Sequence, residues 1–114
     1  MEKNIKISLL LDIYGELLTE RQRQLLTLRV NDDLSLSEIS EIAGISRQGV
    51  RDTLVKGEEH LYLYEQVLHL LEKQINQTKL LEKTRQQLTE GADLEKVTYL
   101  LNELMNFMED QNGI

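Results

Sequence analysis

Proline is absent from all 114 residues of the chain. Because proline lacks a backbone donor and usually marks turns and helix ends, its absence favours a chain built almost wholly of helix. Cysteine is absent too, which excludes a disulfide scaffold, a thiolate metal site and a cysteine nucleophile. No apolar run approaches the roughly 18 residues of a membrane span, and the N-terminus lacks the layout of a signal peptide. We therefore expect a soluble, cytoplasmic, all-α protein.

Apolar residues recur at helical spacing in five or six segments. Capping boxes, which close a helix N-terminus by reciprocal hydrogen bonds, begin at Thr19 and at Ser35. The second half of the chain holds a long helix and a last helix whose apolar residues alternate by three and four, a spacing typical of helices that pair with other helices. We expect residues 1–57 to form one module, and residues 58–114 to form an antiparallel helical hairpin or an oligomer interface.

Residues 36–55 have the pattern of a helix-turn-helix. Ser40 is the small residue that a close crossing of two helices needs, and Gly44 supplies the positive φ of the turn. Ser46 caps the second helix, so its first turn is rigid and its outward side chains are aimed. The outward positions hold arginine, glutamine and aspartate side chains: Arg47, Gln48, Arg51 and Asp52. Arginine and glutamine suit bidentate readout of guanine and adenine in the major groove.

These motifs carry a resemblance to two known families. Residues 17–61 resemble region four of bacterial sigma factors, which recognises promoter DNA with such a helix-turn-helix. The matching stretches there are Leu18-Thr19-Glu20-Arg21-Gln22, Leu36-Ser37-Glu38-Ile39 and Gly44-Ile45-Ser46-Arg47-Gln48-Gly49-Val50. Residues 5–75 are similar to the YlxM family of small bacterial proteins. The matching stretches are Asp12-Ile13-Tyr14-Gly15-Glu16-Leu17-Leu18-Thr19, Asp32-Asp33-Leu34-Ser35-Leu36-Ser37-Glu38-Ile39 and Ser46-Arg47-Gln48. The YlxM resemblance implies an all-helical DNA-binding regulator, and a link to the signal recognition particle pathway that rests on genome context.

The charge balance opposes DNA binding by the chain as a whole. The net charge is −7, from 13 basic and 20 acidic side chains. Residues 19–57 hold six of each sign and are neutral, and Glu58-Glu59 stands where sigma factors are strongly basic. A neutral module still binds DNA if its cations share one face. The expected DNA-binding residues are Ser46, Arg47, Gln48, Arg51, Asp52, Lys56, Arg21 and Arg23.

Several of these residues have simpler interpretations. The arginines and Gln48 also fit an ordinary solvated helix face, and Tyr64 fits packing in the helix seam better than stacking on bases. His60 and His69 are nine residues apart, too far for a pair of metal ligands on one helix face. Phosphate-binding loops and nucleophile elbows are absent from the sequence. We therefore expect no cofactor, no metal and no enzymatic activity.

The sequence thus predicts a DNA-binding regulator that acts as a homodimer, because two weak modules on paired half-sites gain avidity. The alternative is a protein-interaction module on the same scaffold, with the transcription machinery or signal recognition particle components as partners. RNA binding is a third option, without an aromatic stacking platform to support it. The recognition helix is expected to continue into the long helix, with a kink at Gly57.

Overall fold

The computed structural model describes residues 1–91 and 93–111, and every regular element in these ranges is helical. The helices are α1 (Lys3–Tyr14), α2 (Glu20–Leu26), α3 (Leu36–Ala43), α4 (Arg47–Leu68), α5 (Leu70–Thr89) and α6 (Leu94–Gln111). A 3-10 turn, Gly15–Leu17, follows α1, and a π-helical turn, Thr27–Asn31, follows α2. The all-α prediction is confirmed. In the part of the chain that is described, no helix is both long and apolar enough to cross a membrane.

The chain forms two compact units, Met1–Leu71 and the part from Glu72 onward. α4 continues as a single helix past residue 57, to Leu68. The first unit therefore contains the helix-turn-helix together with the whole of α4.

Both predicted capping boxes are present. The Gln22 backbone N–H donates to the Thr19 hydroxyl at 3.1 Å, and the Gln22 side chain accepts from the Thr19 N–H at 3.2 Å. Ser35 and Glu38 make the same reciprocal pair, each bond being 3.1 Å long. The backbone N–H of Ser35, and then its hydroxyl, stabilise the carboxylate and lower the pKa of Glu38. These bonds fix where α2 and α3 begin.

The centre of the first unit is α4, which packs against α1, α2 and α3. Its inward face repeats at helical spacing through Val50, Leu54, Gly57 and Leu61, and all four are buried. At Gly57, a Cβ atom would lie only 2.7 Å from Cδ1 of Leu26 on α2. The helix runs without interruption through Gly57, the predicted position of a kink. The glycine serves a close crossing of α2 over α4.

A part-buried polar cluster marks the C-terminal end of α4. The Tyr14 hydroxyl donates to Oε1 of Glu65 at 2.8 Å and accepts from the Leu70 N–H at 3.0 Å. The same Glu65 oxygen accepts from the Leu71 N–H at 3.0 Å. Between these bonds the chain turns at His69, which has a left-handed φ of 55°. Burial, and then the hydrogen bond to Glu65, raise the pKa of Tyr14. The cluster supplies partners for the first N–H groups of α5, which a helix cannot satisfy internally.

In the second unit, α5 and α6 are joined by a short turn in which Gly91 has φ 73°. Positions that alternate by three and four are buried or half-buried on both helices, namely Leu80, Thr84 and Gln87 on α5 and Val97, Leu100 and Leu104 on α6. This is the pattern of two helices that pack along each other as a hairpin. Asp93 caps α6 by accepting from the Lys96 N–H at 2.9 Å. Thr84 on α5 and Leu100 on α6 are both buried.

Candidate nucleic-acid interface

The helix-turn-helix consists of α3, the turn at Gly44 and the N-terminal half of α4. Gly44 is left-handed, with φ 68°, and its N–H donates to the Ser40 carbonyl at 2.9 Å. Ser40 also donates its hydroxyl proton to the Ile45 carbonyl, so it fastens the turn as well as being small. Ile39 and Val50 are fully buried, one on each helix. The local geometry predicted for residues 36–55 is therefore present.

Ser46 fixes the direction in which α4 begins. Its backbone is extended, and its hydroxyl accepts from the Gly49 N–H at 3.0 Å. A Cβ atom on Gly49 would lie 3.2 Å from that hydroxyl oxygen, which is tighter than ordinary contact. Glycine lowers the stability of a helix relative to alanine. At position 49, however, it leaves room for the Ser46 hydroxyl to cap the helix.

Four polar side chains are exposed on the first two turns of α4. At about 100° per residue, Arg47 and Arg51 lie in one column along the helix, and Gln48 and Asp52 lie in a second column about 100° away. The Gln48 side-chain amide donates to Oδ1 of Asp52 at 2.9 Å, so this pair is held together. The face offers a column of donors beside a column rich in acceptors. Base edges in the major groove present the complementary groups.

The other three predicted residues are also exposed. Lys56 follows Asp52 by four residues, so it continues the column of Gln48 and Asp52 one turn further along α4. Arg21 and Arg23 are two residues apart on α2, about 200° around that helix. The aliphatic part of Arg23 lies beside Gly15, where a Cβ atom would be 3.7 Å from Cδ of Arg23. The structure thus brings together the four groups of the first two turns, places Lys56 on the turn after them, and leaves the two arginines on different sides of α2.

One candidate contact lies outside the predicted set. Val55 is 46% exposed and follows Arg51 by four residues, so it continues the arginine column. Its methyl groups suit apolar contact with the methyl group of thymine. The sequence does indicate this position, because Val55 follows Arg51 at i, i+4 spacing. However, from the sequence alone a single valine among charged residues is more readily interpreted as a core residue.

Aromatic and imidazole rings of the first unit have partners within the protein. The Tyr64 hydroxyl donates to the Leu17 carbonyl at 3.3 Å, and its ring centroid lies 6.3 Å from that of His60. The ring of Tyr62 has the ammonium of Lys6 above it, at 5.4 Å from the centroid. Across the described ranges, no three His, Asp or Glu side chains lie close enough together to hold a metal ion. These rings are therefore engaged within the protein and do not form a stacking surface with the polar face of α4.

Known proteins of similar sequence agree with this architecture. Residues 1–101 match the family model described as "Putative helix-turn-helix protein, YlxM / p13 like", a description that names no enzymatic activity. A UPF0122 protein of Clostridium botulinum is 38% identical over 101 residues, which cover 89% of this chain and 93% of that protein. A UPF0122 protein of Clostridium novyi is 40% identical over 110 residues, which cover 96% of this chain and 92% of that protein. One of Clostridium kluyveri is 51% identical over 76 residues, covering 67% and 68%. The resemblance to the YlxM family is confirmed, and the chain belongs to the UPF0122 family.

Proposed function

We propose that this protein is a DNA-binding regulator that places the N-terminal half of α4 in the major groove. The observation that carries the proposal is the pair of exposed columns on the first two turns of a helix whose start Ser46 fixes. Arg47 and Arg51 read guanine edges through paired N–H donors, and Gln48 reads a neighbouring base with the amide groups that Asp52 leaves free. The helix-turn-helix description of the family supports this use of the helix.

Three further cations contact phosphates in this proposal: Lys56, Arg21 and Arg23. Lys56 lies one turn beyond the exposed columns of α4, and Arg21 and Arg23 lie on the neighbouring α2. These positions suit backbone contacts, which position a protein without reading sequence. Because residues 19–57 carry no net charge, one module binds weakly. The protein therefore acts as a homodimer on paired half-sites, regulating transcription in the cytoplasm.

Fluorescence anisotropy with labelled duplexes tests the proposal. The gene's own upstream region is compared with a scrambled duplex at low and at physiological salt. The double variant Arg47→Ala, Arg51→Ala is expected to lose about 100-fold or more in affinity for the upstream duplex, because each bidentate contact contributes about 1–3 kcal/mol. Circular dichroism should show unchanged helicity, since both side chains are exposed.

The matched control removes two positive charges from the second unit, with Lys73→Ala and Lys79→Ala. It should bind as the wild type does, apart from a small change in salt dependence. Equal affinity of the arginine variant and this control would reject the assignment of the site.

A protein-interaction module is the second candidate, and two observations favour it. The net charge is −7, and the carboxylate of Asp52 lies exposed on the reading face. Its partners would be components of the transcription machinery or of the signal recognition particle, the latter named by the YlxM resemblance alone. A pull-down from nuclease-treated lysate should then recover a protein partner. Recovery of nucleic acid alone from untreated lysate would count against this candidate.

A further inference from the structure

The hairpin of α5 and α6 exposes large apolar side chains that its own packing does not use. Leu81 and Leu88 on α5 are 48% and 56% exposed. On α6 the exposed fractions are 81% for Leu94, 46% for Leu101, 58% for Met105 and 42% for Met108. We call these six residues the hairpin face.

The six residues lie on one side of the hairpin. On α5, Leu81 and Leu88 are displaced by about 40–60° from the buried Thr84, in one rotational sense. On α6, the four exposed leucine and methionine residues are displaced by about 80–140° from the buried Leu100, in the same sense. The exposed Tyr99 is displaced by about 100° in the opposite sense and is not part of the hairpin face. In two antiparallel helices, equal senses of rotation away from the contact line lead to the same side of the pair. The hairpin face is therefore one continuous surface.

The spacing on α6 indicates that this surface binds other helices. Leu94, Leu101 and Met108 are seven residues apart, the repeat by which helices pair over several turns. A continuous apolar surface rimmed by polar residues is also what marks an interaction site on a soluble protein.

The charge of the second unit does not prevent two copies from meeting at this face. Residues 72–114 hold five basic and eight acidic side chains, a net charge of 5 − 8 = −3, so two copies repel each other in general. The hairpin face itself consists of leucine and methionine only. The charges therefore stay outside the contact, where solvent and salt screen their repulsion.

The size of the hairpin suits a dimer. α5 has 20 residues and α6 has 18, which gives lengths of about 30 Å and 27 Å. Two helices side by side, about 10 Å apart, present a face of about 20 Å by 27 Å. Because side chains make the surface larger than this flat area, the face approaches the roughly 800 Å² per partner of a standard interface. We propose that the hairpin face packs against the same face of a second copy, forming a four-helix bundle.

Analytical ultracentrifugation of the full chain, without DNA, tests the bundle. The wild type should sediment with twice the monomer mass of 13.3 kDa. The variant Leu101→Glu, Met105→Glu should sediment as a monomer, because it places four carboxylates in the bundle core. The control Asn102→Glu, Asn106→Glu adds the same charges at exposed positions of α6 outside the hairpin face and should remain a dimer. A monomeric wild type, or a dimeric Leu101→Glu, Met105→Glu variant, would overturn the proposal.

Because the chain has no cysteine, single cysteines give a second test that does not depend on how the charged variant folds. A short bismaleimide should link two copies through Leu101→Cys but not through Asn106→Cys. Equal linkage at both positions would contradict the interface.

The bundle stands apart from DNA binding, but its consequence for paired half-sites rests on the proposed function. The Leu101→Glu, Met105→Glu variant should keep its preference for the upstream duplex and lose about 100-fold in affinity. The Arg47→Ala, Arg51→Ala variant should do the reverse, remaining a dimer without binding DNA. Sedimentation thus tests the four-helix bundle, whereas duplex affinity tests the DNA-binding proposal, so failure of one is distinguishable from failure of the other.

Discussion

Two helical glycines of the first unit meet their neighbours in different ways. A Cβ atom on Gly15 would lie 3.5 Å from Cδ1 of Leu11, an ordinary contact, and the Gly15 backbone is helical at φ −55°. A Cβ atom on Gly57 would lie 2.7 Å from Leu26, a fully buried side chain. Only Gly57 is therefore required by its surroundings.

Alanine at the two positions should have opposite effects on the free energy of unfolding. Gly15→Ala should raise it by about 0.4–1 kcal/mol, because alanine narrows the unfolded ensemble and fits the native backbone. Gly57→Ala should lower it by about 1 kcal/mol, since overpacking costs about 1–3 kcal/mol and better helix propensity returns only part of that. Urea unfolding followed by circular dichroism measures both.

The close crossing can be checked by a coupled variant. In a Leu26→Ala background the methyl group that Gly57→Ala would strike is gone, so the second substitution should no longer destabilise. A cost that persists in that background would mean that α2 and α4 do not meet at this glycine.

At the scale of elements, the cluster of Tyr14 and Glu65 connects α1 with the junction of α4 and α5. Tyr14→Phe should lower the free energy of unfolding by about 1–3 kcal/mol, because the Leu70 N–H loses its acceptor at a part-buried site. Tyr62→Phe is the control, since the Tyr62 side chain is partly exposed and the change should cost less than about 0.5 kcal/mol.

The raised pKa of Tyr14 gives this difference a pH dependence. The folded protein favours the neutral hydroxyl, so its contribution is complete below the unfolded pKa of about 10 and is lost as pH rises through the higher folded value. Urea unfolding of the wild type and of Tyr14→Phe should therefore differ by a constant amount between about pH 6 and 9. Above about pH 10 the two should converge. A difference that grows with alkalinity would contradict the hydrogen bond.

Local signals in the sequence account for most of what could be predicted at this scale. Each helix cap bonds a group only three or four residues away in sequence, as in the two capping boxes, at Gly44 and at Ser46. The order of residue types along the chain therefore predicts the hydrogen bonds of these caps. The crossing at Gly57 and the bond from Tyr14 to Glu65 join residues distant in sequence, 51 residues apart in the second case. Periodicity carries no information about such pairs. The αL residue that ends α4 is a histidine, which is not a typical stop signal.

At the scale of the whole molecule, an acidic protein that binds DNA must rely on few phosphate contacts. If Lys56, Arg21 and Arg23 make those contacts, log K should fall against log salt with a slope of about −3 per protomer and about −5 to −6 per dimer. Anisotropy titrations from low to physiological salt measure this slope. Arg21→Ala should reduce it by about 1 per protomer and leave base preference intact.

Arg47→Ala should be compared with Arg21→Ala. Because Arg47 is proposed to read a base, its substitution should change which duplex sequence the protein prefers. A slope near zero would exclude the phosphate contacts. A slope far steeper than that of the dimer would point to cationic surfaces other than the three residues named.

The continuity of α4 has a consequence for how members of this family diverge. This single helix of 22 residues packs on the core with its inward face. Its outward face carries the two exposed columns, Arg47 with Arg51 and Gln48 with Asp52. One residue inserted between Asp52 and Leu54 would turn those columns by about 100° relative to the core. If the protein reads DNA as proposed, retargeting it to new DNA, in nature or by design, has to proceed by exchange of side chains at constant length. We expect insertions and deletions among its relatives to fall instead in the turns between helices.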